Sequence, residues 1–230
     1  RSTVSHGEIL RLDVSRAQSL QGVVAVVVGE DCPQTYGVLP MAMNEHPLAR
    51  GKVRYRGEPV AAVAAVDAET AERALALIEL EVRELPAHYT AESARAEGAA
   101  LVHENRPGNL ERAVHHVFGD LEAGIAAADL VRDASIDCAE LNHAQIEPHA
   151  ALADYDPATG QLTMQSVSQV GFYLHMMLAR CLQMDESRIR VIKPFVGGGF
   201  GSRVEVLNFE IVTALLARAA RGKVLMQLTR

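Results

Sequence analysis

Apolar positions change period along the chain, and the changes mark out its elements. Ile9–Val14 and Val23–Val28 are short apolar runs punctuated by Gly22 and Gly29, which predicts two strands. Asp31 through Pro40, with Pro33 inside it, predicts a loop. Val53–Tyr55 and Pro59–Val66 predict two more strands, broken at Gly57. Asp67 stands where it caps a helix, and Ala71, Ala74, Leu75 and Ile78 then repeat at helical spacing. Leu80–Arg83 alternates like a strand and stops before Pro86. Strands with one helix predict a small α+β domain over residues 1–86, with Glu58, Glu69 and Glu81 on its solvated face.

Residues 87–116 have little periodicity and carry Pro107-Gly108-Asn109, so they read as a connecting segment. A second block follows at 117–230. Asp120 caps a short helix, Leu121–Ala128, and strand-like stretches come at Leu130–Glu140 and Ala150–Tyr155. Asp156–Gly160 is a turn before a strand at Gln161–Ser166. Val170–Met184 is apolar all round, which predicts a mostly buried helix. Arg188–Val196 is a strand with a glycine-rich end, and Val204–Arg218 is a helix with Leu207, Ile211 and Leu215 on one face.

Composition removes several functions. With 22 Lys and Arg against 29 Asp and Glu the net charge is −7, which argues against a nucleic-acid binder. No tryptophan is present and 4% of residues are aromatic, a weak base-stacking platform. The longest apolar runs fall far short of the roughly 18 residues a membrane span needs. No basic-then-apolar leader opens the chain, so a cytoplasmic protein is expected. Cys32, Cys138 and Cys181 are widely spaced with no C-x-x-C, so neither an iron–sulfur cluster nor a structural zinc is written here, and buried free thiols are expected. No H-x-x-x-H or H-E-x-x-H occurs, and the adjacent His115-His116 read as structural.

Three features carry candidate chemistry. Gly197-Gly198-Gly199-Phe200-Gly201-Ser202 lies between a predicted strand and a predicted helix. Glycines there let backbone N–H groups approach an anion, or simply turn the chain. A dinucleotide fingerprint fails, because its third glycine position is Ser202 and no acidic residue follows Glu210; a Walker loop fails for want of Gly-Lys-Ser/Thr. Gln169, just before the buried helix, offers a neutral donor to a ligand or satisfies hydrogen bonds as a buried amide or cap. In Asn142–His149, Glu147 and His149 share one face of an extended segment, a pair too small for a metal site and suited to structural hydrogen bonding.

Together these motifs resemble the large subunit of the molybdenum hydroxylases, the xanthine dehydrogenase and aldehyde oxidoreductase family. Arg1–Ile9 is similar to the family's R-S-x-x-x-H-A-x-I opening, and Tyr55–Ala61 to its Y-x-G-E-P-V-A. Gln145-Ile146-Glu147-Pro148 resembles its Q-x-E-P segment, and Gly197–Gly201 its G-G-G-F-G loop. Within the family, Pro107–Arg112 with His115-His116, Phe118-Gly119-Asp120 and Asn208-Phe209-Glu210 look most like the α subunit of 4-hydroxybenzoyl-CoA reductase.

The resemblance implies an α+β fold: a hammerhead-like domain, then the first part of the molybdopterin-binding domain. It implies cofactor contacts at Gln169, donating to a molybdenum oxo ligand, and at Gly199, Phe200 and Gly201, with no direct metal ligand and no catalytic residue in this stretch. It implies molybdopterin, in its cytosine dinucleotide form, with iron–sulfur clusters and FAD on an iron–sulfur subunit and a flavin subunit. The implied activity is reductive dehydroxylation of an aromatic acyl-CoA, 4-hydroxybenzoyl-CoA; a hydroxylating relative acting on an N-heterocycle or aldehyde is the alternative, and a non-catalytic scaffold the alternative of another class. Xanthine-oxidising members carry an acid four residues after the loop Phe, where this chain has Val204 and only then Glu205, which argues against a purine. Family subunits are several times longer, so the chain is expected to be a fragment that is inactive alone.

Overall fold

The computed structural model describes residues 1–38 and 42–229. They form two compact units, Arg1–Ala87 with His143–Arg230, and His88–Asn142.

The larger unit opens with β1 (Gly7–Asp13), α1 (Ser15–Gln18), β2 (Val23–Val28), β3 (Tyr36–Val38), β4 (Ala42–Glu45), β5 (Lys52–Val53), β6 (Ala61–Ala65), α2 (Ala68–Leu75) and β7 (Glu79–Glu84). The sheet order is β5-β1-β7, with separate antiparallel pairs β2-β6 and β3-β4. Asp67 does cap α2, its Oδ1 accepting from Thr70 N at 2.7 Å. The loop expected over Asp31–Pro40 holds for Cys32–Thr35 but then gives way to β3, whose Tyr36 pairs with Glu45 of β4; Pro40 itself lies outside the described residues. Glu58 corrects a second expectation. It is buried, accepts from Arg54 N, and burial pushes its carboxyl up. A glutamate inside a tight turn satisfies backbone N–H groups that a solvated side chain leaves open.

The smaller unit holds α3 (Ala91–Arg95) and α4 (Leu121–Ala126). Thr90 caps α3 and Asp120 caps α4. Asn109 stitches this unit, its amide donating to Ala94 and Ala100 carbonyls and its Oδ1 accepting from Val102 N. The strand expected at Leu130–Glu140 is absent: the segment is irregular and exposed. An alternating pattern becomes a strand only against a partner edge, and none among the described residues pairs with it. Cys138 lies here and is exposed, whereas Cys32 and Cys181 are the buried free thiols that composition suggested.

The larger unit resumes with β8 (Ala150–Asp156), β9 (Gln161–Ser166), α5 (Gly171–Leu182), β10 (Ile189–Ile192), α6 (Asn208–Ala220) and β11 (Lys223–Gln227). Their sheet runs β10-β9-β8-β11. β9 and β10 are parallel, with Ile189 opposite Leu162, so α5 is the crossover that a parallel pair requires. α6 is buried nearly all round, from Phe209 to Ala217, not on one stripe. One core joins it to Leu162 and Met164 of the sheet, Leu174 and Leu178 of α5, and Ala25, Val27, Ala62 and Ala64 of β2-β6. α5 is less enclosed than its composition implies: Leu174, Met177, Leu178 and Leu182 are buried, but Phe172 is 93% exposed.

Candidate functional site

Three segments of the larger unit meet at one place: Gln145–His149 ahead of β8, Ser168-Gln169 ahead of α5, and Gly197–Arg203 between β10 and α6. Each lies between regular elements, where backbone donors are not consumed by a ladder.

Gln169 is exposed at the entrance to α5. Its backbone N–H donates to the carbonyl of Arg203 at 2.8 Å. Its Oε1 accepts from the backbone N–H groups of Gly201 and Arg203, each at 3.3 Å. Backbone N–H groups only donate, so the oxygen must face the loop. The amide nitrogen is then left for a partner outside the described chain. The same loop presents three consecutive amides, of Gly198, Gly199 and Phe200, that have no protein acceptor among the described residues.

Two glycines make this approach possible. A Cβ on Gly199 would stand 2.5 Å from Gln169 Oε1 and 2.9 Å from its Cδ, so only glycine lets the amide lie there. Gly201 has φ +96°, which favours glycine for its backbone, while a Cβ there would meet only His143 at 3.6 Å. Phe200 between them is itself left-handed at φ +52° and 75% exposed. An aromatic residue held in that region is a strained position maintained by its surroundings.

Beneath the loop lies a charge that the sequence reading did not single out. The Arg203 side chain is only 1% exposed and pairs with the Glu147 carboxylate through Nη1. Its Nη2 donates to the carbonyls of Glu147 at 2.9 Å and Pro148 at 3.3 Å. Glu147 Oε2 also accepts the Gly197 N–H at 2.9 Å. Partial burial works to raise the Glu147 carboxyl, but Arg203 and the Gly197 N–H outweigh it and hold it below the usual range. His149 is pushed down by burial and by the Arg203 charge. Its Nε2 lies 2.9 Å from Gln145 Nε2, and its ring tilts against Phe209 at 5.8 Å. Glu147 and His149 thus serve hydrogen bonding. The only sequence signal for Arg203 is a lone cation two residues after Gly201, matched by an acid in the Gln145–Pro148 segment.

Among the described residues no group of three or more His, Cys, Asp or Glu side chains is placed to hold a metal ion. The described residues include no helix long and apolar enough to cross a membrane. The donor set at the loop is neutral: amide hydrogens and one carboxamide. Such a set fits a group that arrives with its own ligands and offers acceptor oxygens, and it does not fit a bare cation.

Comparison with known proteins agrees with that chemistry. Residues 1–86 match the aldehyde oxidase and xanthine dehydrogenase a/b hammerhead domain, and residues 102–230 match the molybdopterin cofactor-binding domain. A putative xanthine dehydrogenase molybdenum-binding subunit of Escherichia coli is 32% identical over 244 residues, covering 100% of this chain and 32% of that protein. The nicotinate dehydrogenase large molybdopterin subunit of Eubacterium barkeri is 32% identical over 232 residues, covering 100% of this chain and 53% of its own. The crystal structure of quinoline 2-oxidoreductase from Pseudomonas putida superposes with a TM-score of 0.89 at 30% identity, over 100% of this chain and 30% of that one. The chain therefore spans between about a third and a half of these relatives' length. It belongs to the molybdopterin-binding xanthine dehydrogenase and aldehyde oxidoreductase family.

Proposed function

We propose that this chain supplies one wall of the molybdenum-cofactor cradle in a hydroxylating dehydrogenase acting on an N-heterocyclic or aldehyde substrate. In this reading residues 1–86 are the hammerhead, 87–116 connect, and 117–230 begin the cofactor-binding domain. The observation that carries it is the pinned carboxamide of Gln169, whose oxygen is occupied by two backbone N–H groups and whose nitrogen is free to donate. Gln169 would hold the cofactor by a hydrogen bond from its amide nitrogen, Gly199 and Gly201 would allow its approach to the backbone, and Phe200 would line the space beside them. Molybdopterin, in its cytosine dinucleotide form, supplies a two-electron redox centre when bound. Neutral, pre-oriented donors suit an acceptor whose charge builds up during reaction, because they need no reorganisation. Electrons leave through an iron–sulfur subunit and a flavin subunit, and the complex is cytoplasmic.

The relatives named above act, by their names, on nitrogen heterocycles, which favours that substrate class over thioesters. A second reading, reductive dehydroxylation of 4-hydroxybenzoyl-CoA, is favoured by Pro107–Arg112 with His115-His116, Phe118-Gly119-Asp120 and Asn208-Phe209-Glu210. The intact native protein decides between them. Molybdenum content with reduction of a dye by quinoline or nicotinate supports the first reading. Oxidation of a reduced dye by 4-hydroxybenzoyl-CoA supports the second. A protein holding no molybdenum and showing neither activity returns the glycine loop to a purely structural turn.

A further inference from the structure

We infer that Arg203 and Glu147 are the positioning pair of the cofactor loop: their ion pair sets where the Gln169 donor and the Gly198–Phe200 amides stand. The inference rests on the reading of that loop as cofactor-facing.

Both ends of the loop converge on one carboxylate. Glu147 Oε2 takes the N–H of Gly197, the first loop residue, at 2.9 Å. The same oxygen pairs with the guanidinium of Arg203, the last. Through its main chain Arg203 is tied to Gln169 twice, receiving the Gln169 N–H at 2.8 Å and donating to Gln169 Oε1 at 3.3 Å. A shift of Arg203 therefore moves the carboxamide with it. Gly199 abuts that carboxamide, so the unbonded loop amides move too.

The pair is an expensive choice if it only fills space. A guanidinium 1% exposed has lost its water, and apolar residues of similar volume often replace buried ion pairs without loss of stability. What the pair supplies is direction. One planar fork reaches a carboxylate and two carbonyls at once, a geometry that a lysine ammonium does not reproduce.

The test uses the intact native protein with four variants: Glu147→Gln, Glu147→Ala, Arg203→Lys and the double variant Glu147→Ala/Arg203→Met, which leaves no orphaned charge. Three readouts are taken: hydrogen exchange of the Gly197, Gly201, Ser202 and Arg203 amides, molybdenum content, and the electron paramagnetic resonance spectrum of the Mo(V) state alongside turnover. The double variant and Arg203→Lys are expected to exchange these amides about tenfold faster or more, as lost local protection does. They keep most of their molybdenum, but the Mo(V) spectrum shifts and turnover falls. Glu147→Gln loses the charge but keeps an acceptor oxygen for Arg203 and the Gly197 N–H, so its exchange and spectrum are expected to fall between wild type and Glu147→Ala. A double variant with wild-type exchange, spectrum and turnover overturns the inference, as does a Glu147→Gln variant as impaired as Glu147→Ala. If the double variant does not fold, the Arg203→Lys and Glu147→Gln pair decides on the same readouts. Wild-type protein without molybdenum refutes the cofactor reading, and the exchange arm then judges the clamp alone.

Discussion

Gly199→Ala is the sharpest single perturbation of the site. The new Cβ would stand 2.5 Å from Gln169 Oε1, a separation that real Cβ atoms do not reach, so the carboxamide has to leave. Its departure breaks the hydrogen bonds from Gly201 N and Arg203 N. Two net hydrogen bonds at ~0.5–1.5 kcal/mol each give a local loss of about 1–3 kcal/mol. Reduced freedom of the unfolded chain offsets about 0.4–1 kcal/mol of it. The companion variant Gly201→Ala separates this clash from backbone strain. Its Cβ meets only His143 at 3.6 Å, an ordinary contact, and what it suffers is φ +96°. That strain is worth ~1–2 kcal/mol, so both variants destabilise the loop to a similar degree. They differ in where the Gln169 donor goes.

Hydrogen exchange read residue by residue separates them. In Gly199→Ala the amides of Gly201 and Arg203 lose their acceptor, and a net 1 kcal/mol or so accelerates their exchange by about fivefold. In Gly201→Ala the Arg203 amide keeps Gln169 as acceptor and is less affected. In the intact protein Gly199→Ala is also expected to lose the larger share of turnover. Unchanged exchange at Arg203 with full turnover in Gly199→Ala would refute the claim that this glycine exists for the close approach of Gln169.

Glu147, held below its usual range, contributes stability that is fully present above the ordinary value of 4.5 and fades as pH falls through the depressed one. Thermal midpoints of wild type and Glu147→Gln are therefore expected to differ at neutral pH and converge in acid; a constant gap counts against the ion pair. Leu178 on α5 is fully buried in the main core, so Leu178→Ala is expected to cost about 2–5 kcal/mol, read by urea unfolding. Iodoacetamide under native conditions is expected to modify Cys138 alone, with Cys32 and Cys181 reacting only after denaturation, as peptide mass spectrometry would show.

Short-range signals in the sequence match the structure. Asp67 and Asp120 cap the helices they precede, because a cap is a contact three residues long. Gln161–Ser166 was placed to the residue, since alternation and the Asp156–Gly160 turn act locally. Failures came where the outcome depends on a distant partner. Leu130–Glu140 alternates but finds no edge among the described residues. Glu58 looked solvated because nothing nearby announces that Arg54 N needs an acceptor. Val204–Arg218 reads as one apolar stripe, yet α6 is enclosed on both sides because β2-β6, far earlier in the chain, packs on it. At the site, the glycine run and Gln169 were visible as types of residue. Their meeting through Arg203 was not, since no periodicity links positions 147, 169 and 203.

The division of labour at the site follows from what burial does to charge. The donors without a protein acceptor among the described residues, the Gln169 nitrogen and the loop amides, are neutral and have fixed hydrogens, so their donor strength does not change with pH. The ionised groups lie behind them. Arg203 is enclosed, Glu147 neutralises it directly, and Glu210 on α6 is buried close enough to feel it. Burial pushes Glu210 up, while Ser166, the Leu207 N–H and the Arg203 charge pull against that shift. Had the guanidinium itself faced the ligand, the site would bind any anion. Set one layer back, it spends its hydrogen bonds on carboxylate and carbonyls and orients the neutral donors instead. The left-handed Phe200 fits the same logic: strain in a loop survives only where its two ends are fixed, and here both are fixed to Glu147.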